Sequence, residues 1–369
     1  MRTILFPTEA ITVSKNGHHE SIEFSEGKEM KAKSLSLTAV VLLGRTAFAT
    51  TAAAQAAPAI TFDTMDSKIK TVANLGTVEG SENICQAADG SIFVTLINVS
   101  KVMKVDPAGK VTEFASVANT ANMLGVGCGS DPEVVAITFG KTFRGTPAVA
   151  ATATTPAVPA GPNNFNDNDV HAWVYDLSGK VVADIPIPKG MGLNGFAAAG
   201  GQLYYGGNSG KPEIDLVNTK TKTATVWYDA KDYAAPPPVP PAGPGVAVNG
   251  VKVIPGWVYF RGIKPGSKPA VPGIYRIAIG PDGKPMGTPQ TIQEGLATDD
   301  FGVAPDGSVI LPSGTTIYKI TTAGVQTKIA DPAVGGPSLV VSKDGKTAIW
   351  PTRVAGTTTM QRVLSVAIP

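Results

Sequence analysis

Residues 82–90 read Glu82-Asn83-Ile84-Cys85-Gln86-Ala87-Ala88-Asp89-Gly90, and residues 299–307 read Asp299-Asp300-Phe301-Gly302-Val303-Ala304-Pro305-Asp306-Gly307. Each stretch opens on a carboxylate, passes through a short apolar strand and reaches the glycine of an Asp-Gly turn eight residues later. Asp-Gly marks a tight reversal, so each unit is a strand that feeds a second apolar strand, Ile92-Phe93-Val94-Thr95 in the first case. Asn194 and Asn249 head two similar, shorter units, Asn-Gly-Phe-Ala-Ala-Ala-Gly-Gly and Asn-Gly-Val-Lys-Val-Ile-Pro-Gly.

The unit recurs along the chain with variable spacing. Unit one continues through Val102–Thr112, whose alternation around Pro107-Ala108-Gly109 predicts a hairpin. Unit two starts near Leu124 and returns in His171–Val181. The third begins at Asn194 and turns at Lys220–Thr223; the fourth begins at Asn249 and turns at Gly280-Pro281-Asp282-Gly283. Unit five begins at Asp299 and gives the strands Ile317–Ile320 and Val325–Ile329, and a sixth begins at Ser338 and turns at Lys343-Asp344-Gly345-Lys346. Six units of about four strands predict an all-β chain, a six-bladed β-propeller of four-stranded antiparallel blades. A strand around Phe62–Val72 is expected to complete the last blade. The Ala/Thr/Pro-rich residues 145–169 and the Pro-rich residues 234–245 read as surface loops, since the repeat resumes in phase after each.

Composition agrees. Glycine (41) and proline (30) are abundant and only 16% of residues are charged, which suits short strands joined by many turns. A net charge of +2, with no basic cluster, argues against nucleic acid as a partner. Met30-Lys31-Ala32-Lys33, the apolar stretch Leu35–Leu43 and the small-x-small site Ala54-Gln55-Ala56 read together as a secretory signal, too short to span a membrane, although Arg45 departs from the pattern. The expected organisation is residues 1–29 as a disordered leader or an over-extended reading frame, 30–56 as the signal peptide and 57–369 as the propeller. The product would be periplasmic or secreted, with no membrane insertion once the signal is removed. Cys85 and Cys128 follow the cleavage point; export permits a disulfide between them, the alternative being two buried thiols, and their spacing matches no zinc pattern.

If each unit is one blade, the heads Glu82, Asn194, Asn249 and Asp299 converge at one end of the central channel. Carboxylate and amide oxygens suit a hard cation such as Ca²⁺. Taken singly, each head has a plainer reading: Asn-Gly is also a hairpin signal, and Glu82 and Asp299 are ordinary strand-end carboxylates. Asp300 competes with Asp299, which is preferred because its offset to Gly307 equals that of Glu82 to Gly90. Other plans find little support. His171 is the one histidine after the signal, and no Gly-x-Ser-x-Gly elbow, phosphate loop or dinucleotide fingerprint occurs.

The segment Asp299-Asp300-Phe301 with Pro305-Asp306-Gly307, together with the two Asn-Gly units that lead into Leu-Tyr-Tyr and Val-Tyr-Phe, resembles the six-bladed propellers of the senescence marker protein (regucalcin), gluconolactonase and luciferin-regenerating enzyme family. The resemblance covers roughly residues 62–369. It implies one divalent metal, Ca²⁺ first among candidates, on Glu82, Asn249 and Asp299, with Asn194 binding substrate and Asp299 also acting as catalytic base. It departs from the family in unit two, which lacks a clear polar head. The activity implied is metal-dependent hydrolysis of lactones or related esters by a monomer acting on a small molecule; the alternative is a non-catalytic periplasmic propeller that binds a ligand or partner protein. N-terminal sequencing of the exported protein should find Ala57 or a close neighbour as the first residue, whereas a retained, ordered segment before it overturns the signal reading.

Overall fold

Strands rich in β-branched and aromatic residues on both faces must be covered on both faces, and here neighbouring sheets cover them. Ile92–Leu96 and Glu133–Phe139 are buried at every position. Strands at the rim, such as Val181–Pro186, are buried only at isolated positions and carry the polar side chains. The computed structural model describes residues 66–77, 80–97, 99–117, 122–140, 169–235, 246–267, 271–332, 335–352 and 360–369, together with the backbone of two short strands near the N-terminus.

The chain divides into Met1–Ala57 and Pro58–Pro369. In the first unit Ile11–Lys15 and His18–Ile22 pair antiparallel, Ile11 opposite Ile22. The signal segment 30–56 and most of the loops at 145–169 and 234–245 lie outside the described residues.

The second unit is a six-bladed propeller of four-stranded antiparallel sheets. Blade 1 comprises Ser81–Gln86, Ile92–Leu96, Lys101–Val105 and Val111–Ser116. Blade 2 comprises Asn122–Cys128, Glu133–Phe139, Val170–Asp176 and Val181–Pro186, and blade 3 Leu193–Gly200, Leu203–Asn208, Glu213–Asn218 and Thr223–Asp229. Blade 4 is Val251–Ile254, Trp257–Ile263, Pro272–Ile279 and Pro285–Glu294; blade 5 is Gly302–Val303, Val309–Ser313, Thr316–Ile320 and Gln326–Ala330. Within each blade the strands pair in chain order, and the first strand of every blade contacts the first strand of the next, round to blade 1 again.

Blade 6 closes the ring. Val340–Val341, Thr347–Pro351 and Gln361–Ala367 are joined on their outer edge by Lys70–Gly76, from the start of the propeller. The closing strand lies later than the expected Phe62–Val72. Its register sets Gly76 opposite Gln361 and Lys70 opposite Ser365, and its alternation puts Ala73 and Leu75 inward. Those two residues pack with Ile84, Val94, Ile349 and Val363 between blades 6 and 1.

The core is divided among the blade interfaces. Phe93, Val126 and Tyr175 join blades 1 and 2; Phe139, Phe196 and Tyr204 join 2 and 3; Tyr205, Phe260 and Tyr275 join 3 and 4. Tyr259 and Phe301 do the same for blades 4 and 5, and Ile310, Trp350 and Leu364 for blades 5 and 6. Cys85 and Cys128, on the inner strands of blades 1 and 2, are joined by a disulfide with Cα atoms 5.7 Å apart.

One carboxyl stands apart from this apolar filling. Asp215 in blade 3 is fully buried; its Oδ2 accepts a hydrogen bond from Asn208 Nδ2 at 3.2 Å and its Oδ1 has no partner. Burial, assisted by the charge of Glu213, pushes its pKa up from 3.8 to about 8. The native state therefore holds a proton that the unfolded chain has released once the pH passes 3.8. Stability falls as pH rises from there towards about 8 and levels off above it. Replacing Asp215 with Asn, which never ionises, should raise the melting temperature more at pH 8 than at pH 4; an equal effect at both pH values in thermal melts contradicts the assignment.

Candidate functional site at the head of the inner strands

In blades 1 to 3 the inner strand carries an irregular pair of residues near its start. In blade 1 Ser81 pairs with Leu96 and Ile84 with Val94, so Glu82 and Asn83 together face Thr95. Leu124-Gly125 in blade 2 and Asn194-Gly195 in blade 3 are bulges of the same kind. In blade 4 Asn249 and Gly250 share Arg261, whose carbonyl accepts from Asn249 N at 3.2 Å and whose N–H donates to Gly250 O at 2.9 Å. Asp299-Asp300 and Pro337-Ser338 stand at the same offset from the turn glycines Gly307 and Gly345 as Glu82-Asn83 does from Gly90. A bulge re-aims the side chains it carries.

The Asn-Gly pairs are not hairpin turns. Asn194-Gly195 lies within Leu193–Gly200, and none of Asn194, Gly195, Asn249 and Gly250 has positive φ. Glycine serves the approach of the neighbouring blade instead. A Cβ on Gly195 would collide with the Asn249 carbonyl oxygen, to which Gly195 N donates at 3.1 Å, and a Cβ on Gly250 would collide with the Asp300 carboxylate. The turn reading of these pairs is therefore corrected: the glycines are there because strands converge, not because the chain reverses.

Of the residues predicted from sequence, Asn249 and Asp299 meet directly, the amide of Asn249 donating to Asp299 Oδ1. Glu82, Asn194 and Asn249 are buried, whereas Asp299 is exposed. Asn194 Oδ1 accepts from Asn83 Nδ2 at 3.5 Å, which leaves the Asn194 Nδ2 donors for another partner. Among the described residues no group of three His, Cys, Asp or Glu side chains is arranged to hold a metal ion. A cation here would thus need the Asn249 amide oxygen as well as the carboxylates of Glu82 and Asp299; all three offer the oxygen donors that a hard cation takes.

Asp300 has a different post. Its side chain is 3% exposed, and its Oδ2 accepts from Lys252 Nζ and, at 2.6 Å, from Ser338 Oγ. Its Oδ1 accepts from its neighbour Phe301 N at 2.8 Å. Ser338 Oγ also lies 3.4 Å from Asn83 Oδ1. Asn83, Ser338, Asp300 and Lys252 thus form a polar chain across blades 1, 6, 5 and 4 that reaches blade 3 through Asn194. Arg261 adds a second cation. Burial holds its guanidinium below the usual range, the Asp299 carboxylate opposes that shift, and its Nε is buried without a hydrogen-bond partner.

Sequence reasoning missed Asn83, Lys252 and Arg261. The signal for Lys252 was present, a single cation inside the apolar run Val251–Ile254. Unit two does carry a buried polar residue, Asn122, but it sits before the bulge, and neither side-chain atom has a partner. His171 lies away from the strand heads on blade 2, between Asp184 at 2.6 Å and Asp169 at 3.2 Å.

No family model matches the chain, and no curated protein matches it in sequence. Solved structures do. The Xanthomonas campestris gluconolactonase aligns with 82% of this chain and 89% of its own at 12% identity and a TM-score of 0.52. A luciferin-regenerating enzyme aligns with 81% of this chain and 94% of its own at 12% identity and a TM-score of 0.51. The PQQ-bound aldose sugar dehydrogenase of Streptomyces coelicolor aligns with 81% of this chain and 98% of its own at 14% identity and a TM-score of 0.50. At such identities the likeness is one of fold, and the chain shares the propeller architecture of these enzymes. Because Gly250 faces Asp300, Gly250→Ala should lower stability by ~1–3 kcal/mol through overpacking, measured by denaturant unfolding; a neutral result contradicts the close approach of blades 4 and 5.

Proposed function

We propose that the chain is an exported hydrolase of lactones or related esters that works at the heads of the inner strands. The observation that carries this reading is the meeting of Asn249 and Asp299 from adjacent blades, with Glu82 at the equivalent position of blade 1. The fold of gluconolactonase and luciferin-regenerating enzyme supports it. Glu82, Asn249 and Asp299 would hold one divalent cation, Ca²⁺ being the first candidate, which when bound supplies Lewis-acid polarisation of the substrate carbonyl.

The chain's own residues do the rest. Asp299 is the exposed carboxylate of the set and takes a proton from the attacking water. Water oxygen bonds to the carbonyl carbon, the ring C–O bond breaks, and the proton held by Asp299 passes to the departing alkoxide. Asn194, held through its Oδ1 by Asn83, directs its Nδ2 donors to a substrate oxygen. Arg261 brings a positive charge that favours the anionic intermediate. The substrate is a small molecule, and the enzyme acts as a periplasmic or secreted monomer.

A second reading, a non-catalytic propeller that binds a ligand or partner protein, draws on the cations of the chain itself: Lys252 is paired with Asp300, and Arg261 lies within reach of Asp299. Turnover separates the two. With purified protein and simple lactones, Asp299→Asn should weaken Ca²⁺ binding in calorimetry and lower kcat by ~100-fold or more, while Asn194→Ala should retain the ion and raise KM. Absence of divalent binding to the parent, or unchanged Ca²⁺ affinity in the Asp299 variant, sinks the hydrolase mechanism; ligand binding without turnover favours the second reading.

A further inference from the structure

Arg261 is the one charged residue of the strand Trp257–Ile263, set between the buried Phe260 and Gly262. Its backbone pairs with both Asn249 and Gly250, which places it at the strand head of blade 4. Burial disfavours its charge and the Asp299 carboxylate supports it, yet neither a hydrogen bond nor an ion pair joins Arg261 to Asp299. Among the described residues no acceptor bonds its guanidinium, and its Nε is buried. An apolar side chain would fill the place without that penalty. We propose that the strand heads recognise a carboxylate on a small-molecule ligand, and that Arg261 is the residue that selects it.

Charge decides the class of ligand. On the inner strands, their heads and the strands beside them, the charged side chains among the described residues are Glu82, Glu133, Lys252, Arg261, Asp299 and Asp300. Glu133 stands at the far end of its strand, where Tyr204 and Thr219 donate to its Oε1 at 2.9 and 2.8 Å. Lys252 is balanced by Asp300. A divalent cation on Glu82 and Asp299 would in turn be balanced by those two carboxylates, which leaves Arg261 as the surplus positive charge. One monoanion cancels it; a phosphate dianion overshoots, and a neutral carbonyl leaves the charge unmatched. The guanidinium fork also fits the two oxygens of a carboxylate. The balance at Glu82 and Asp299 rests on the hydrolase reading; the unmatched guanidinium does not.

The test uses the whole protein with Ca²⁺ present, propanoate as probe, and propanamide and methyl phosphate as the neutral and dianionic controls. Ligand-observed NMR should show propanoate binding at least tenfold more tightly than either control. Arg261→Gln should abolish that preference, and Arg261→Lys, which keeps the charge without the fork, should recover part of it. In EDTA, Asp299→Asn should bind propanoate more tightly than the parent does, because a competing carboxylate is gone. Should Arg261→Gln fail to fold, the Arg261 Nε–H resonance of the parent provides the readout, and propanoate but not propanamide should shift it. Propanoate bound no more tightly than either control, selectivity kept in a folded Arg261→Gln, no tightening in Asp299→Asn, or an unmoved Nε–H overturns the proposal. Lactone turnover without propanoate selectivity rejects the proposal and leaves the hydrolase standing; selectivity that depends on Arg261, without turnover, does the reverse.

Discussion

Crowding at the axis governs this molecule. Six inner strands approach one another around a single line, and where one blade pushes backbone or a carboxylate into the gap its neighbour must leave room. Where the carbonyl of Asn249 presses on blade 3 and the carboxylate of Asp300 presses on blade 4, the facing residues are Gly195 and Gly250. Blades 1, 5 and 6 fill the same level with Asn83, Asp300 and Ser338. The ring is therefore lopsided: backbone meets backbone or a neighbour's carboxylate on one side, and a hydrogen-bonded polar chain runs along the other. Lys252 enters from the glycine side and supplies the charge that lets a carboxylate sit at 3% exposure. Without that cation Asp300 would carry an uncompensated buried charge, which is far costlier than forgoing the pair altogether.

This asymmetry also bears on how much was written plainly in the sequence. The repeat was legible because its turns are built from local chemistry: Asp89, Asp306 and Asp344 each accept from a backbone N–H two residues on, and the following glycine takes positive φ. Such signals need no knowledge of distant residues. The heads of units one and five could be aligned from their offset to those turns, and those of units three and four from their similar, shorter Asn-Gly stretches. The polar chain could not, since each of its links joins residues far apart in sequence, and a serine at 338 or an asparagine at 83 looks like any other surface residue until the ring is closed. The Asn-Gly pairs show the same limit from the opposite direction. Their local chemistry suggests a reversal, and only the neighbouring blade explains why glycine follows asparagine once within an inner strand and once just before one.

The strand heads divide their side chains between two environments. Asp299 and Asp300 are adjacent in sequence, yet one faces solvent beside Asn249 and the other is buried against Lys252. The two residues stand just before the strand Gly302–Val303, where the strict alternation of side chains between sheet faces does not yet apply. Farther along, the same inner strands line a cavity with residues from all six blades.

Ring closure has a consequence for the life of the chain before it is folded. The outer strand of blade 6, Lys70–Gly76, is made long before its partner Gln361–Ala367. Throughout elongation the early strand has no edge to join, and blade 6 cannot form as a four-stranded sheet. The interface that buries Ala73, Leu75, Ile349 and Val363 must wait as well. Pairing across nearly the whole sequence is slow, since the loop entropy falls due before any contact rewards it. The ring therefore stays open until Gln361–Ala367 has been made.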